Sequence, residues 1–201
     1  MELRRALESR RMTRDFSEAD VPAELIDDLV RLASRSPSAG KTQGWSLLVL
    51  SGSSRDDFWN LSLPVDKRPT FAWPGLLRAP VVALSFADPA AYVARYAEPD
   101  KAHTGLGEGV DRWGAPYWTI DASMATMALL LAAHDAGLGA LFFAVFNSTD
   151  EIRRHFGVPE GLQLLGAVAL GWPNTESVER RGASSSRPRR AAADIVHRNH
   201  W

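Results

Sequence analysis

The sequence predicts an α+β domain in which helices flank a mixed central β-sheet. Four runs of strongly apolar residues have the length of β-strands, and they alternate irregularly with segments whose apolar residues recur at helical spacing. The chain has 201 residues, of which 45% are hydrophobic and 23% are charged. This composition is typical of a globular protein with a sizeable core. We therefore expect a single domain over residues 1–201.

Two helices are predicted before the first strand. Residues 1–11 place three apolar side chains on one face of a helix. A second helix begins near Pro22, which suits a first helical turn, and it ends before Pro37. A segment rich in proline, serine and glycine follows at 36–45, where the chain is expected to turn.

Four apolar runs of strand length define the predicted sheet, at 47–50, 81–86, 141–146 and 162–171. The last run is apolar almost throughout, so we expect it to be buried on both faces. Shorter helices are predicted between the strands, at 56–61, 89–97 and 150–156. The segment 62–79 contains three prolines and is expected to be irregular.

A long helix is predicted at 119–136. Its apolar residues occupy nearly every face, so it must be covered on all sides by its own domain or by a partner subunit. Gly137 and Gly139 are expected to end it, as glycines do at helix C-termini. The longest apolar run, about 122–133, is too short to span a bilayer, so no membrane insertion is expected.

The segment 98–118 is polar and rich in glycine. Long loops of this kind in compact domains are usually functional or mobile, and both a lid and a surface excursion are open interpretations. Three aromatic residues at its end, Trp113, Tyr117 and Trp118, either wall a substrate pocket and stack on an aromatic substrate or pack in the core.

The overall charge and the cysteine count exclude several classes of function. The net charge is −1, so no global basic field indicates nucleic-acid binding. The chain has no cysteine, which excludes disulfides, thiolate metal sites and cysteine nucleophiles. His197 and His200 lack matched ligands, so no metal site is expected. The charged amino-terminal segment contains no signal peptide, which makes a cytoplasmic location the expectation.

Basic residues are clustered at both ends of the chain. Arg10, Arg11 and Arg14 lie within five residues, and a second cluster that includes Arg187 and Arg189 lies in the carboxy-terminal segment 172–201. Guanidinium groups recognise phosphate through paired hydrogen bonds, but they also form ordinary solvated surfaces. From the residues alone both interpretations stay open.

Four segments together resemble the flavin-dependent nitroreductase family. They are Arg10-Arg11-x-Thr13-Arg14-x-Phe16, then Ser36-Pro37-Ser38-Ala39-Gly40-x-x-Gln43-x-Trp45, then Ala136-Gly137-Leu138-Gly139 before a strand, and finally Arg187-x-Arg189-Arg190 before Asp194-Ile195-Val196-His197. They occur in the family's order and span nearly the whole chain. The resemblance implies a homodimer that binds FMN at the subunit interface, with 172–201 as an arm docking on the partner.

The resemblance also assigns the cofactor contacts. It implies that Arg10, Arg11 and Arg14 reach the phosphate and ribityl chain of FMN, and that Arg187 and Arg189 close over the phosphate. The other implied contacts come from the partner's turn, namely Pro37, Ser38, Ala39 and Gln43, and from a backbone N–H near Ala144, in the strand with Phe143, against flavin N5.

The chain departs from the family pattern at several of these positions. Met12 stands where the family commonly has serine, and Lys41 replaces a usual asparagine. A cation at Lys41 near the flavin would favour its anionic reduced form. Ala144 and Val145 stand where glycines are common, and their side chains would narrow the space beside N5.

Three hypotheses of function follow. The first is an FMN-dependent oxidoreductase that transfers hydride from NADH or NADPH to a nitroaromatic, a quinone or a similar acceptor by a ping-pong mechanism. In that case the flavin carries the chemistry, which agrees with the lack of an acid–base pair. The second is a family member that binds or sequesters flavin with no reductase activity or an altered one. The third is an anion-binding module without enzymatic activity.

Overall fold

Six α-helices and four β-strands are formed by the residues that the computed structural model describes, 1–175 and 186–201. The helices are α1 Leu3–Ser9, α2 Ala23–Ala33, α3 Gly52–Ser62, α4 Pro89–Tyr96, α5 Tyr117–Asp135 and α6 Thr149–His155. The strands are β1 Trp45–Ser51, β2 Val81–Ala87, β3 Gly139–Phe143 and β4 Gln163–Gly171. No helix among the described residues has the length and apolarity needed to cross a membrane.

The four strands form one sheet in the order β1-β2-β4-β3, and every pairing between them is antiparallel. The α+β class is therefore confirmed, but the prediction of a mixed sheet was wrong for the described strands. An apolar run of strand length is the same whichever way its neighbour points, because side chains alternate with period two in both arrangements. Strand direction was consequently absent from the pattern that predicted the strands.

The sheet separates two layers of core. Val82, Leu84 and Phe86 of β2 pack on one face with residues of α3 and α6, whereas Val81 and Ala83 pack on the other face against α2 and α5. All residues of β2 are buried, because this strand is central and both its faces are covered.

Helix α5 crosses the second face of the sheet and is only partly covered. It begins at Tyr117, two residues before the predicted start, and it ends as predicted at glycine. Gly137 has φ +81°, its N–H donates to the His134 carbonyl at 3.1 Å, and Leu138 N–H donates to the Ala133 carbonyl at 2.8 Å. The large apolar side chains that remain exposed on α5 form a stripe at helical spacing, Tyr117, Ile120, Met124 and Met127.

Strand β3 is shorter than predicted. The expected strand over 141–146 ends at Phe143, whose ring stacks on Trp59 at a centroid distance of 5.7 Å. The residues after it leave the sheet, and Phe146 is 89% exposed. Strand β3 ends here because of a feature in β4, a strand that is distant in the sequence. The pairing of β4 with β2 carries one extra residue, Leu165, and beyond this bulge β4 no longer pairs with β3.

Gly166 allows β3 and β4 to approach each other at the bulge. It has φ +155°, and a Cβ there would lie 2.7 Å from the Phe143 carbonyl oxygen and 2.8 Å from the Phe142 ring. We expect Gly166→Ala to lower the free energy of unfolding by about 1 to 3 kcal/mol, because a methyl group must displace backbone as well as side chain.

Urea unfolding followed by tryptophan fluorescence measures this effect. Gly114→Ala is the matched control, since a Cβ at Gly114 would meet no atom within 4 Å. Equal midpoints for the two variants would show that the approach at Gly166 is not constrained.

The carboxy-terminal segment lies outside the core. The predicted arm over 172–201 includes positions 176–185, which are outside the described residues. From 186 to 201 every residue is exposed, including Ile195, Val196 and Trp201, and the His197 ring stacks on Trp201 at 4.0 Å. Docking of this arm on a partner stays a prediction.

Candidate functional site

The two arginine clusters meet at the end of α1. Arg10 follows this helix directly, and its Nη1 atom is buried with no hydrogen-bond partner among residues 1–175 and 186–201. The pKa of Arg10 is lowered, first by burial and then by the positive charges of Arg11 and Arg189. Arg189 belongs to the distant carboxy-terminal segment, so the fold brings the predicted clusters together. A buried N–H without an acceptor, surrounded by like charges, is a site that an anion would stabilise.

A cavity of about 360 Å³ opens beside this guanidinium group. Polar side chains on its wall are Ser9, Arg10, Arg11, Thr13 and His134. The Thr13 backbone N–H donates to the Ala140 carbonyl at 3.0 Å, which fixes the segment after α1 against β3. Gly139 permits this approach, because a Cβ there would lie 2.7 Å from the Thr13 side chain. The cavity therefore has a rigid backbone wall and a cationic rim.

The three amino-terminal arginines do not point the same way. Arg10 and Arg11 line the cavity, and Arg11 also donates to the Glu8 carbonyl at 2.6 Å. The Arg14 guanidinium lies over the Trp73 ring, 5.0 Å from its centroid, and donates to the Met12 carbonyl at 3.2 Å. Arg14 thus faces the opposite side of the chain from the cavity.

A second groove, of about 470 Å³, continues from the first. Leu130 lines both spaces, and the chain passes from Arg11 in the first to Met12 in the second. The second groove runs between α5 and the ends of β3 and β4, with Phe142 and Gln163 on its wall. Together the two spaces form a path with a cationic end and a mostly apolar end.

The residues predicted to contact flavin N5 lie just beyond this groove. The Phe143 side chain is turned into the core against Trp59, so only its backbone is available to a ligand. Ala144 follows the end of β3 and is exposed.

The predicted turn at 36–45 has an unusual backbone. Gly40, Lys41 and Gln43 all have positive φ, at 61°, 57° and 58°. For the two residues with side chains this conformation costs roughly 1 to 2 kcal/mol each. Ser38 supports the turn, since its Oγ accepts from the Gln43 backbone N–H at 3.0 Å. Lys41 and Gln43 are both exposed.

Two charged side chains hold the turn from opposite sides. The buried Asp121 of α5 accepts at Oδ2 from the Ala39 backbone N–H at 2.7 Å and from the Tyr92 hydroxyl at 2.7 Å. On the other side Arg95 of α4 donates to the Gly40 carbonyl at 2.9 Å. The two ends of one peptide segment are thereby fixed. We call Asp121, Tyr92 and Arg95 the turn clamp.

Ionisation in the turn clamp follows from these contacts. The pKa of Tyr92 is raised well above its usual range, first by burial, then by its hydrogen bond to Asp121 and the charge of that carboxylate. Arg95 forms two further hydrogen bonds with Asp100, at 2.7 and 2.8 Å. This contact raises the pKa of Arg95 and lowers that of Asp100. The prediction from sequence missed the clamp, although Asp121 is a carboxylate inside an otherwise apolar helix, and that signal could have found it.

The turn and the cationic cavity lie at opposite ends of α5. Asp121 holds the turn near the start of this helix, and His134 lines the cavity near its end. At 1.5 Å per residue the two positions are about 20 Å apart along the helix axis. One chain therefore does not bring the turn residues into its own arginine cavity.

The aromatic residues of 98–118 form a packed cluster. The Trp113 ring lies edge-on against Tyr92, Tyr96 and Trp118, with centroid distances of 5.7, 4.7 and 6.1 Å. Its indole N–H donates to the Leu106 carbonyl at 3.0 Å. The segment is thus folded against α4 rather than extended, and contact of Trp113, Tyr117 and Trp118 with a substrate stays a prediction.

Comparison with known proteins agrees with the fold and gives it a family. A model described as "Nitroreductase family" matches residues 7–172. A protein of Methanothermobacter thermautotrophicus named "Putative NADH dehydrogenase/NAD(P)H nitroreductase" is 28% identical, over 86% of this chain and 78% of its own. The 5,6-dimethylbenzimidazole synthase of Rhodospirillum rubrum is 27% identical, over 89% of this chain and 87% of its own.

A solved structure has the same fold. The nitroreductase CinD of Lactococcus lactis, in complex with chloramphenicol, superimposes with a TM-score of 0.68. The two sequences are 21% identical, and the match covers 94% of this chain and all of that one, 100%.

Proposed function

Because the chain belongs to the nitroreductase family, we propose that it is an FMN-dependent oxidoreductase with NADH or NADPH as the reductant. The acceptor would be a nitroaromatic, a quinone or a similar aromatic molecule. The observation that carries this proposal is the buried Nη1 of Arg10, which no acceptor in the described part of the chain engages. It lies at the cationic end of a path that leads into an apolar groove, where the charge of Arg189 also acts.

The cationic end fits a phosphate. Arg10 and Arg11 line the cavity, and Arg189 acts on Arg10 through its charge, so three guanidinium groups could neutralise a phosphate dianion. Arg187 would join them from the same carboxy-terminal segment. Arg14 lies over Trp73 and lines neither space, so its predicted contact with the ribityl chain would require its side chain to turn away from that ring.

The apolar groove fits the flavin ring. Met12 and Phe142 offer the thioether and aromatic surfaces on which a flat ring packs well. Ala144 would present its backbone N–H to flavin N5. When bound, FMN supplies the redox chemistry, accepting hydride from the nicotinamide and passing it to the acceptor in a second, separate half-reaction.

A homodimer explains two features of the single chain. The turn that carries Pro37, Ser38, Ala39, Lys41 and Gln43 lies about 20 Å from the chain's own arginine cavity. In a dimer it would reach the flavin bound mainly by the partner. Of the exposed stripe on α5, the part from Tyr117 to Met124 would be covered by the second copy, whereas Met127 lines the groove. We propose that residues 1–201 form one domain, and that its carboxy-terminal arm, 172–201, docks on the partner subunit.

The acceptor is assigned only by class. Similar proteins are named for different reactions, since one is named as an NAD(P)H nitroreductase and another as a 5,6-dimethylbenzimidazole synthase. The nitroreductase CinD was solved in complex with chloramphenicol. Three departures from the family pattern favour a second candidate, a flavin-binding protein with no reductase activity or an altered one. Ala144 and Val145 would narrow the space beside N5, and Met12 lacks the hydroxyl contact of the usual serine.

The test is the visible spectrum of the purified protein, followed by anaerobic titration with NADH and then NADPH. We expect flavin absorption that bleaches with at least one nicotinamide and returns when a nitroaromatic or quinone is added. Light scattering should give twice the chain mass of 22.0 kDa. Bound flavin that neither nicotinamide bleaches would support the second candidate, and a protein that binds no FMN would contradict both.

A further inference from the structure

The hydroxyl groups on the wall of the second groove have already used their protons. Ser123 donates to the Thr119 carbonyl at 2.6 Å, and Thr126 donates to the Ala122 carbonyl at 2.8 Å. The Thr119 hydroxyl lies 2.9 Å from Oε1 of Gln163. Since a hydroxyl has one proton, these three groups can offer only lone pairs to a ligand in the groove.

Gln163 is different because the orientation of its amide is fixed by Trp118, a residue that does not line the groove. The Trp118 indole N–H lies 2.9 Å from Gln163 Oε1. An indole nitrogen can only donate, so the atom facing it must be the amide oxygen and not the NH₂ group. The Thr119 hydroxyl donates to the same oxygen. Both contacts come from the first turn of α5, and the indole N–H excludes the flipped amide because it cannot accept.

The NH₂ group of Gln163 therefore keeps both of its donors. Among the described residues no hydrogen bond engages it, and Gln163 is exposed on the wall of the groove. Of the described residues that line the groove, none is ionisable: Met12, Thr119, Ser123, Thr126, Met127, Leu130, Phe142, Gln163, Leu164 and Leu165. Among the described residues on this wall, the amide NH₂ is thus the only side-chain group with a hydrogen-bond donor still to offer.

The position of Gln163 separates it from the proposed flavin end. Phe143 pairs with Ala167 where β3 ends, and Gln163 lies four residues before Ala167, at the start of β4. Because Leu165 is the extra residue of the bulge, this stretch advances about three regular steps of about 3.3 Å, or roughly 10 Å. A ring bound between Met12 and Phe142 leaves Gln163 free to contact a second aromatic molecule stacked beside it.

We propose that Gln163 selects the electron acceptor by donating a hydrogen bond from its NH₂ group to a carbonyl or nitro oxygen of a neutral aromatic molecule. This inference rests on the proposed oxidoreductase function and adds a specificity-determining residue to it. Trp118 is the positioning residue that keeps the donor turned toward the groove. A ligand without an acceptor oxygen loses this contact and leaves the amide unpaired.

The test compares 1,4-naphthoquinone with ferricyanide as acceptors for the flavin-loaded enzyme. Ferricyanide takes electrons without entering a specific hydrogen-bonding site, so it reports on the flavin alone. We expect Gln163→Leu to lower the ratio of kcat/KM for naphthoquinone over ferricyanide about tenfold, mainly by raising KM, as one lost hydrogen bond does. Gln163→Glu should lower the ratio further, because a carboxylate repels the quinone oxygen.

Two further variants complete the design. Trp118→Phe keeps the ring but removes the N–H, so the amide can flip, and we expect a smaller loss of about threefold. Glu160→Leu is the control, since this exposed residue precedes β4 and does not line the groove.

The outcomes separate this inference from the function on which it rests. An active wild-type enzyme with unchanged ratios in both Gln163 variants would overturn the role of Gln163 alone. A wild-type protein that lacks reducible flavin would overturn the proposed function, and the role of Gln163 with it.

Discussion

Replacing both Arg10 and Arg189 by alanine is expected to weaken FMN binding by a factor of a hundred or more. Each guanidinium group would lose a charge-assisted hydrogen bond to phosphate, which contributes about 1.5 to 3 kcal/mol. A second effect has the opposite sign. In the protein without FMN, Arg10 is destabilised by burial, by Arg11 and by Arg189. Removing its charge should therefore leave the stability of the apoprotein unchanged or raise it.

This combination of effects distinguishes a binding residue from a structural one. Quenching of FMN fluorescence on titration gives the affinity, and urea unfolding without FMN gives the stability. Arg4→Ala is the matched control, because Arg4 is an exposed arginine on α1 that does not line the cavity. Unchanged FMN affinity in the double variant would mean that the arginine clusters do not hold the phosphate.

Asp121→Ala is expected to have the largest effect on folding, lowering the free energy of unfolding by roughly 3 to 5 kcal/mol. The substitution leaves the buried Tyr92 hydroxyl and the Ala39 N–H without their acceptor. It also releases a turn that holds Lys41 and Gln43 in left-handed conformations. We expect FMN affinity to fall as well, if the partner's turn contacts the cofactor.

Urea unfolding of Asp121→Ala and Tyr92→Phe separates the contributions of the carboxylate and the hydroxyl. Asp27→Ala, which removes an exposed carboxylate on α2, is the control. Tyr92 also adds a pH dependence. Its pKa is higher in the folded protein than in the unfolded chain. The stability that it contributes is therefore present below about pH 10 and is lost as the pH rises above that value.

Tyr92→Phe should abolish this alkaline loss. A loss of less than about 1 kcal/mol in Asp121→Ala would show that the turn holds its shape without the clamp.

Most helices could be predicted because their ends are encoded locally. Pro22 precedes α2, Pro89 begins α4, and Gly137 ends α5, and each of these residues acts through its own backbone. The strands could be predicted for a similar reason, because each is an apolar run of strand length bounded by turn residues. The directions of the strands and the end of β3 could not be predicted, because both depend on which strands meet in space.

The candidate site could also be predicted only in part, because some of its features are local in sequence and others depend on the fold. The clusters around Arg10 and Arg189 were identified from residue type alone, and the fold places their charges within reach of each other. The clamp on the turn was missed because Asp121, Tyr92 and Ala39 are distant in sequence and share one carboxylate oxygen only after folding. Likewise the donor at Gln163 depends on Trp118, and nothing local to β4 indicates it.

Leu165, the extra residue in β4, could affect how the second groove forms or is lost during evolution. Leu165 has no partner in β2, and it lies on the wall of the groove where β3 and β4 part. Deleting it would restore a continuous ladder between β2 and β4 while keeping Leu164 opposite Phe86 and Gln163 opposite Ala87. The shape of the groove wall thus depends on chain length at one position, so a single codon gained or lost could alter the groove without any change of residue type elsewhere.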